Sequence, residues 1–532
     1  MPRPLLIEHA VDLPVEPAAV HHVLVDLGAT DRGDGRYTLP IDADPAVDGR
    51  LEAIVQANED GTAHVDLAAG NGIRLPFFHT IVTTVISVHY QQAIDRLTAQ
   101  LEHHLAGGPE DAIKPIRRNP LLPPQPYTHK QAVGLSTAGF AVAIATFGQA
   151  IIAQYSKGIQ STFFAHMSHP DTRLSVVLAV VRVGAILSLF AGILSDKIGR
   201  RRLILVSLVG LAIANLLSAI PLGPYAFAGF QTFSRGFALT VVAVGGIIAL
   251  EEAPEGARGF ATSMLALAGG FGFTFAVVLL PFFGKHHWQF VFVLSGVFGV
   301  LTMRVGKFLK ESPRFEQIEE DSQIRRGRIG EVLGRNYRWR FVVIAMIGFL
   351  TNILTAPSSV VTNNYLTEDH GFSYTKILLW RVTTTSYTGL IGLAIAGMLI
   401  ERYGRRPTAF LTLALGGLVR IAFYLGGGPV LWIASAVGDM VFAIAFLTVA
   451  TLNVELFPTE ARGTAIGLAG IVGVVGSIVG ILGAGVMSDH FGGWGTALAI
   501  CTVPTVIAAF VFVPFLPETK GRQLDEISPS EA

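Results

Sequence analysis

The chain has 532 residues, 51% of them hydrophobic and only 15% charged, with a mean hydropathy of +0.53. Soluble domains carry about 25% charged residues, so this composition excludes a soluble enzyme, a nucleic-acid binder and a disordered scaffold. The net charge of zero conceals an imbalance: residues 1–130 hold 10 Lys and Arg against 17 Asp and Glu, and the remainder hold 29 against 22. Cys501 lies alone in an apolar run, so neither a disulfide framework nor a Cys-built metal site is expected.

The opening segment Met1–Val15 carries acids and no apolar signal core, which places the N-terminus in the cytoplasm. Ile7, Val11, Leu13 and Val15 alternate with polar or small residues, as in a half-buried strand. Val20, Val23, Leu24 and Leu27 then take helical spacing, entered at Glu16-Pro17 and ended by Gly28. Short alternating runs at Arg36–Ile41, Leu51–Val55 and Ala63–Leu67 predict further strands. A long helix is predicted from about Phe77 to Leu105, with Ile94, Leu97, Leu101 and Leu105 on one stripe. Residues 1–110 thus read as a small soluble α+β domain, and residues 111–131 as a basic, proline-rich linker. The nine histidines of residues 1–130 scatter over strand and helix faces, so they read as surface rather than metal ligands.

From residue 133 the text changes to apolar stretches of roughly 20 residues, each long enough to cross a bilayer. Twelve are predicted, at 133–155, 173–195, 203–222, 226–250, 260–283, 288–308, 341–363, 376–400, 407–426, 430–453, 463–487 and 494–516. Basic residues concentrate in the loops that a cytoplasmic N-terminus places inside, nine of them between Lys307 and Arg340. The expectation is a mainly α membrane protein of the plasma membrane, with both termini cytoplasmic. Its parts are a six-helix bundle at 132–308, a basic loop at 309–340, a second six-helix bundle at 341–516 and a tail at 517–532.

The two bundles repeat each other. Gly-Ile-Leu-Ser-Asp-Lys-Ile-Gly-Arg-Arg (Gly192–Arg201) returns 205 positions later as Gly-Met-Leu-Ile-Glu-Arg-Tyr-Gly-Arg-Arg (Gly397–Arg406). Glu251-Glu-Ala-Pro-Glu-Gly-Ala-Arg-Gly259 returns 204 later as Glu455-Leu-Phe-Pro-Thr-Glu-Ala-Arg-Gly463. Glu311-Ser-Pro-Arg314 after span six parallels Pro517-Glu-Thr-Lys-Gly-Arg522 after span twelve. Two pseudo-symmetric halves follow, with a site expected where they meet.

Helix ends carry unpaired backbone groups and dipole charge. Asp196 and Glu401 are expected to accept hydrogen bonds there. Arg200, Arg201, Arg405 and Arg406 are expected to pair with Glu251, Glu255, Glu455 and Glu460, and Arg258, Arg462, Glu311, Arg314 and Glu518 join the same loops. Such a network would hold the inner side shut in one state and break in the other. In span eleven Gly463, Gly467, Gly470, Gly473, Gly476, Gly480 and Gly483 recur every three or four residues, which predicts close backbone approach.

These motifs resemble the major facilitator superfamily over residues 130–525. The loop after span two resembles its G-x-L-x-D-[RK]-x-G-R-[RK] signature; the Glu-x-x-Pro-x-x-x-Arg-Gly loops, Glu311–Arg314 and Pro517–Gly521 resemble the sugar-porter-like branch. That branch includes metabolite and aromatic-acid symporters as well as sugar carriers. The resemblance implies alternating access by a secondary transporter. Several positions depart from it. Where proton symporters of the branch often carry an acid in span one, this chain has Gln149. Span five lacks the usual glutamine of sugar carriers, and span seven offers Asn352, Thr355, Asn363 and Asn364 where they show a Gln-Gln pair. The span-five G-x-x-x-G-P motif of drug antiporters is missing too, so import is favoured over efflux.

Ionisable residues at mid-bilayer are costly, about 2.5–3.5 kcal/mol on insertion scales, and each is a functional candidate. Asp439 lies near the middle of span ten, and the 204-residue offset sets Arg235 at the equivalent place in span four. Two readings stand: a proton-coupling carboxylate, or a static clamp with Arg235. Arg182 in span two and Arg381 in span eight lie on helices that line the half–half interface in the superfamily. With Arg235 they predict a cationic cavity and an organic-anion substrate. Arg420 and Arg304 fall on spans nine and six, peripheral in that fold, and are expected to pack or snorkel.

The order of elements in residues 1–110 resembles the START-like helix-grip fold, which implies an apolar ligand between helix and sheet. An ordinary helix–sheet core is the alternative, and the apolar stretch Phe77–Tyr90 either lines a pocket or lies on the membrane surface. There is no phosphate loop, so no ATP-driven step and no cofactor are expected. The functional expectation is proton-coupled uptake of a small organic anion or metabolite by a monomer in the lipid bilayer. The alternatives are a sugar carrier, a non-transporting sensor on a carrier scaffold, and a membrane-tethered lipid-binding module.

Overall fold

The computed structural model describes residues 5–41, 45–47, 49–116, 122–190, 194, 198–284, 287–301, 306, 308 and 337–521. Asp196, Glu311 and Arg314 lie outside the described residues, so the roles expected of them stay expectations.

The N-terminal domain is built from β1 (Leu5–Leu13), α1 (Pro17–Asp26), β2 (Thr30–Gly33), β3 (Arg36–Leu39), β4 (Arg50–Ala57), β5 (Ala63–Asn71) and α2 (His79–Ala106). The sheet is antiparallel throughout, ordered β1-β5-β4-β3-β2, with Leu13 opposite Ala63 and Leu51 opposite Ala69. Alternation in β5 turns Ala63, Val65, Leu67 and Ala69 inward, all fully buried. Tyr90, Ile94, Leu97 and Leu101 of α2 pack on them at helical spacing. That cluster packs helix against sheet as an ordinary core does, and the apolar ligand that the helix-grip resemblance implied stays an expectation. Strand β2 carries no apolar alternation to predict it, because it is an edge strand exposed at every residue. It is fixed by the turn at Asp34-Gly35, where Gly35 has φ +72 and a Cβ would meet the Val55 carbonyl oxygen at 2.5 Å.

Ten helices among the described residues are long and apolar enough to cross a bilayer. In the predicted numbering they are span one (His129–Gln154), three (Arg200–Ser218), four (Pro224–Glu252), five (Arg258–Phe283), seven (Arg338–Glu368), eight (Tyr374–Tyr403), nine (Arg405–Leu425), ten (Pro429–Glu455), eleven (Arg462–Phe491) and twelve (Trp494–Phe515). At the places of spans two and six stand helices Pro170–Ser188 and Trp288–Leu301, each adjoining residues outside the description.

The chain divides into two compact units. One joins the N-terminal domain to the neighbouring parts of spans one, four and five; the other holds most of the helical bundle. Within the second, span eleven packs on span seven through its glycines. A Cβ at Gly476 or Gly480 would lie 2.3 Å from the carbonyl oxygen of Phe349 or Ile353. Pro357, four residues beyond Ile353, has no N–H to offer that carbonyl, which leaves it open to the approach.

Candidate functional site

The seam between the halves is built at the end predicted to be external, where spans one, two, seven and eleven converge. After span one the chain enters a short helix, Ser156–Phe163, whose polar residues face span seven. Ser156 Oγ donates to Asn364 Oδ1 (2.5 Å), and Asn364 Nδ2 donates to Gln160 Oε1 (3.0 Å). Gln160 Nε2 then donates to Asp171 Oδ1 at the start of span two (2.5 Å). Across the halves, Ser488 Oγ donates to Asp171 Oδ2 (2.6 Å), and the Thr172 amide and hydroxyl both donate to Asp489 (2.8 and 2.6 Å). Lys157 forms an ion pair with Glu368. Gly485 permits the closeness: a Cβ there would stand 2.1 Å from Ser175 Oγ and 2.8 Å from the Asp171 carbonyl oxygen.

Deeper in the bundle, Asn363 Nδ2 donates to the Gln154 carbonyl and side chain (2.9 and 3.0 Å), and its Oδ1 accepts from Arg381 (2.8 Å to Nη2). Arg182 reaches from span two to span seven, donating to the Ala356 carbonyl (3.0 Å) and Ser359 Oγ (2.8 Å). Arg235 is near enough to act on the Arg182 charge, and its Nε is buried without a hydrogen-bond partner. Among the described residues neither arginine has a carboxylate within 4.0 Å. Arg182 and Arg235 thus lie near one another without a carboxylate partner among the described residues. Along span eleven the packing then loosens: Gly463 and Gly467, toward the opposite end, have nothing within 4 Å of an added Cβ.

Asp439 departs from its expected partner. It forms an ion pair with Arg420 of span nine, both side chains largely buried, not with Arg235. The repeat offset equates positions in the two halves but does not bring them together, and Arg420, expected at the periphery, points inward along the span nine–span ten contact. Phe423 and Phe442 flank its guanidinium. Asn352 is spent on its own half, accepting from Ser477 Oγ (3.1 Å) and donating to the Gly348 carbonyl (2.8 Å). Gln149 is half-buried on span one.

At the end predicted to be internal, the described C-terminal motif closes on itself. Arg405 binds Glu455 (2.9 Å), and Thr519 Oγ1 donates to the same carboxylate (2.5 Å). Glu518, not Glu401, receives the helix N-terminus, accepting the Arg405 and Arg406 amides (3.0 and 3.1 Å). Glu401 is exposed, one turn too early to reach those amides. Burial pushes the Glu518 carboxyl up, but the amides of Lys520, Arg405, Arg406 and Thr519 outweigh it, so its pKa lies below the usual 4.5. Arg462 donates to the Phe457 carbonyl (3.4 Å). In the N-terminal half Arg200 is buried, Glu251 is half-buried, and Arg201 and Arg258 are exposed. Among the described residues, the ionic contacts of the C-terminal motif stay within that half, and the side-chain bonds that join the halves lie at the other end and deeper in the bundle.

Sequence reasoning missed the seam residues Lys157, Gln160, Asp171, Glu368, Ser488 and Asp489, and named Asn364 only as a polar residue of span seven. A signal was present: loops short of Lys and Arg yet holding acids and amides beside spans one, two, seven and eleven.

The Major Facilitator Superfamily profile matches residues 119–380 and 354–529. A glucose transporter of Staphylococcus epidermidis is 25% identical, over 70% of this chain and 93% of its own length. A gentisate transporter of Corynebacterium glutamicum is 24% identical, over 56% of this chain and 68% of its own. Among solved structures, a D-xylose–proton symporter superposes with a TM-score of 0.61 at 19% identity, covering 73% of this chain and 98% of that one. The xylose transporter XylE of E. coli in an inward open conformation gives the same TM-score at 18% identity, covering 74% and 98%.

Proposed function

The chain belongs to the major facilitator superfamily and is a multi-pass membrane transporter, and on that premise we propose that it imports a small organic anion together with protons. The observation that carries this reading is the pair Arg182 and Arg235: Arg182 bonds across the halves, Arg235 lies close by on span four beside Gly184, and neither has a carboxylate within 4.0 Å among the described residues. Substrate carboxylate would supply the missing charge and displace Arg182 from Ala356 and Ser359, loosening the bond between spans two and seven. In this reading the chain lies in the plasma membrane with both termini cytoplasmic, and its closed seam is the outer gate of an inward-facing state.

Proton coupling follows from the electrical work. Bringing one negative charge into a cell against 100 mV, inside negative, costs about 2.3 kcal/mol, which one or more co-transported protons offset. Asp439 is the candidate carrier: protonation would release it from Arg420. The gentisate transporter among the relatives supports an aromatic or otherwise compact acid as substrate. Sugar is the poorer reading, because Asn352 and Asn363 are already committed to Ser477, Gly348, Gln154 and Arg381.

The test is uptake into proteoliposomes of radiolabelled gentisate, other small acids and glucose, with and without an inward proton gradient. Accumulation of an acid that collapses without the gradient, and falls about 100-fold in Arg235→Met, is the expected result. Accumulation of glucose alone would replace this reading with the sugar reading. Asp439→Asn is expected to lose gradient-driven accumulation and keep acid exchange.

A further inference from the structure

Between Arg74 and Asp95 the chain holds no Asp, Glu, Lys or Arg, and the structure lays the first part of this stretch along span one. The Arg74 amide donates to His129 Nδ1 (3.3 Å), at the start of that span. Three residues later the Phe77 ring stacks on Phe140, with centroids 3.9 Å apart and planes 7° from parallel. Phe78 meets the same ring edge-on at 6.3 Å, and a Cβ on Gly139 would touch both Phe78 and Ala268. Phe140 lies eleven residues beyond His129, about 16 Å along a helix rising 1.5 Å per residue. Residues 74–78 therefore run along the side of span one, from its first residue to about three turns in, where Phe77 also meets Phe308 edge-on.

There the chain turns. Phe78 takes φ +56, unusual for a bulky side chain, and α2 starts at His79. Val82 of α2 and Ala132 of span one pack on the same small cluster of Ala46, Ile73 and Leu75, so the helix climbs back alongside the span it descended. Several of its polar groups are bonded locally, as an apolar setting requires. The Leu75 amide donates to His79 Nδ1 (3.4 Å), Pro76 has no N–H, and the Phe78 carbonyl takes the Val82 amide (3.0 Å). Thr83, Thr84 and Ser87 turn their hydroxyls onto the carbonyls of His79, Thr80 and Thr84, each at 2.8 Å. On the side away from the sheet, Ile81 and Val88 are 49% and 51% exposed, with half-buried Val85 between them.

We propose that residues 75–88 form a re-entrant elbow in the lipid leaflet around the start of span one. Phe77, Phe78 and Ile81 lie among acyl chains, Val85 and Val88 at the headgroup boundary, and exposed Arg74 and Lys130 against lipid phosphates. The occupant of the apolar face is lipid, because the elbow continues the surface of a membrane-spanning helix through the Phe77–Phe140 stack, and because no charge interrupts it. The soluble domain is then anchored by its own fold as well as by its linker, whatever the carrier transports.

The test uses the full chain in phosphatidylcholine–phosphatidylglycerol bilayers, with Cys501→Ala as background and a nitroxide on Ile81→Cys or Val88→Cys. Val206→Cys, on the exposed side of span three, is the lipid reference, and Glu102→Cys is the water reference. At Ile81 the ratio of collisions with oxygen to collisions with a water-soluble nickel chelate is expected to match Val206 and to exceed Glu102 at least about fivefold, with Val88 between them. A ratio at Ile81 equal to that at Glu102 overturns the proposal. So does a label shielded from both reagents, which would mean that a second copy of the chain covers the face.

Discussion

At one end of the helical bundle Asp171 gathers Gln160 and Ser488, Asp489 gathers Thr172, and Asn364 joins Ser156 to Gln160, so that mostly neutral donors tie the halves together. At the other end Arg405, Glu455 and Glu518 form a compact ionic group whose contacts, among the described residues, stay within the C-terminal half. Hydrogen bonds between membrane helices are worth about 0.6 kcal/mol each on average, so a handful can be made and broken as the carrier cycles. A largely buried ion pair is far costlier to break. The Lys157–Glu368 ion pair belongs to the seam too, so the contrast is one of proportion: neutral donors predominate between the halves, and charge predominates within the described C-terminal group.

That contrast can be broken most forcefully at Arg405. Arg405→Met leaves Glu455 partly buried without its cation, and is expected to cost about 3–5 kcal/mol of stability. Thermal unfolding in detergent would read it as a lower Tm, with the balance between conformations unchanged. A shift in that balance would mean that the ionic group works as a gate after all. Next in size is Gly485→Val, whose added atoms collide with Ser175 and the Asp171 backbone. Opening the seam by spin-label distances across spans two and eleven is expected to become about tenfold more populated, with little change in Tm.

Glu518→Gln sharpens the comparison at lower cost, about 1 kcal/mol, by weakening the acceptor at the start of span nine. Here pH gives a separate check. Because folding lowers the Glu518 pKa below 4.5, its contribution is present above pH 4.5 and is lost as the pH falls through the folded value. The wild type should lose that increment of Tm on acidification and the Gln variant should not. The smallest effect lies in the N-terminal domain. His64 Nδ1 and Asp12 are 2.6 Å apart, which raises the pKa of His64 through that hydrogen bond and lowers that of Asp12. The His64 contribution is full below pH 6.5 and disappears as the pH rises through its folded value. His64→Gln should flatten that slight decline in domain stability, followed by amide exchange in β1 and β5.

The membrane character was legible because apolar runs long enough to cross lipid are rare in chains that fold in water. The recurrence of Gly-Arg-Arg and Glu-x-x-Pro-x-x-x-Arg-Gly at nearly one offset made the two halves legible as well. Strand β5 and the α2 stripe were readable from their periods of two and of three to four. The seam was not, because Ser156, Gln160 and Asn364 are ordinary polar residues whose meaning depends on which helix ends meet. Asp439 misled for a related reason. Its charge marked it correctly as unusual, but internal symmetry says which positions correspond, and only packing says which touch. Glu401 and Glu518 teach the same lesson at short range: Glu401 lies in the last helical turn of span eight, and Glu518, in the chain after span twelve, reaches the amides of Arg405 and Arg406.

The place of Glu518 in the chain carries a consequence for biogenesis. It leaves the ribosome after span twelve, yet the beginning of span nine, more than a hundred residues earlier, waits for it. The second half can therefore finish that end only once synthesis has passed this point. A ribosome stalled just short of it would leave a fully threaded polypeptide whose late helices are in place but not yet locked, exposed to quality-control proteases at that one corner.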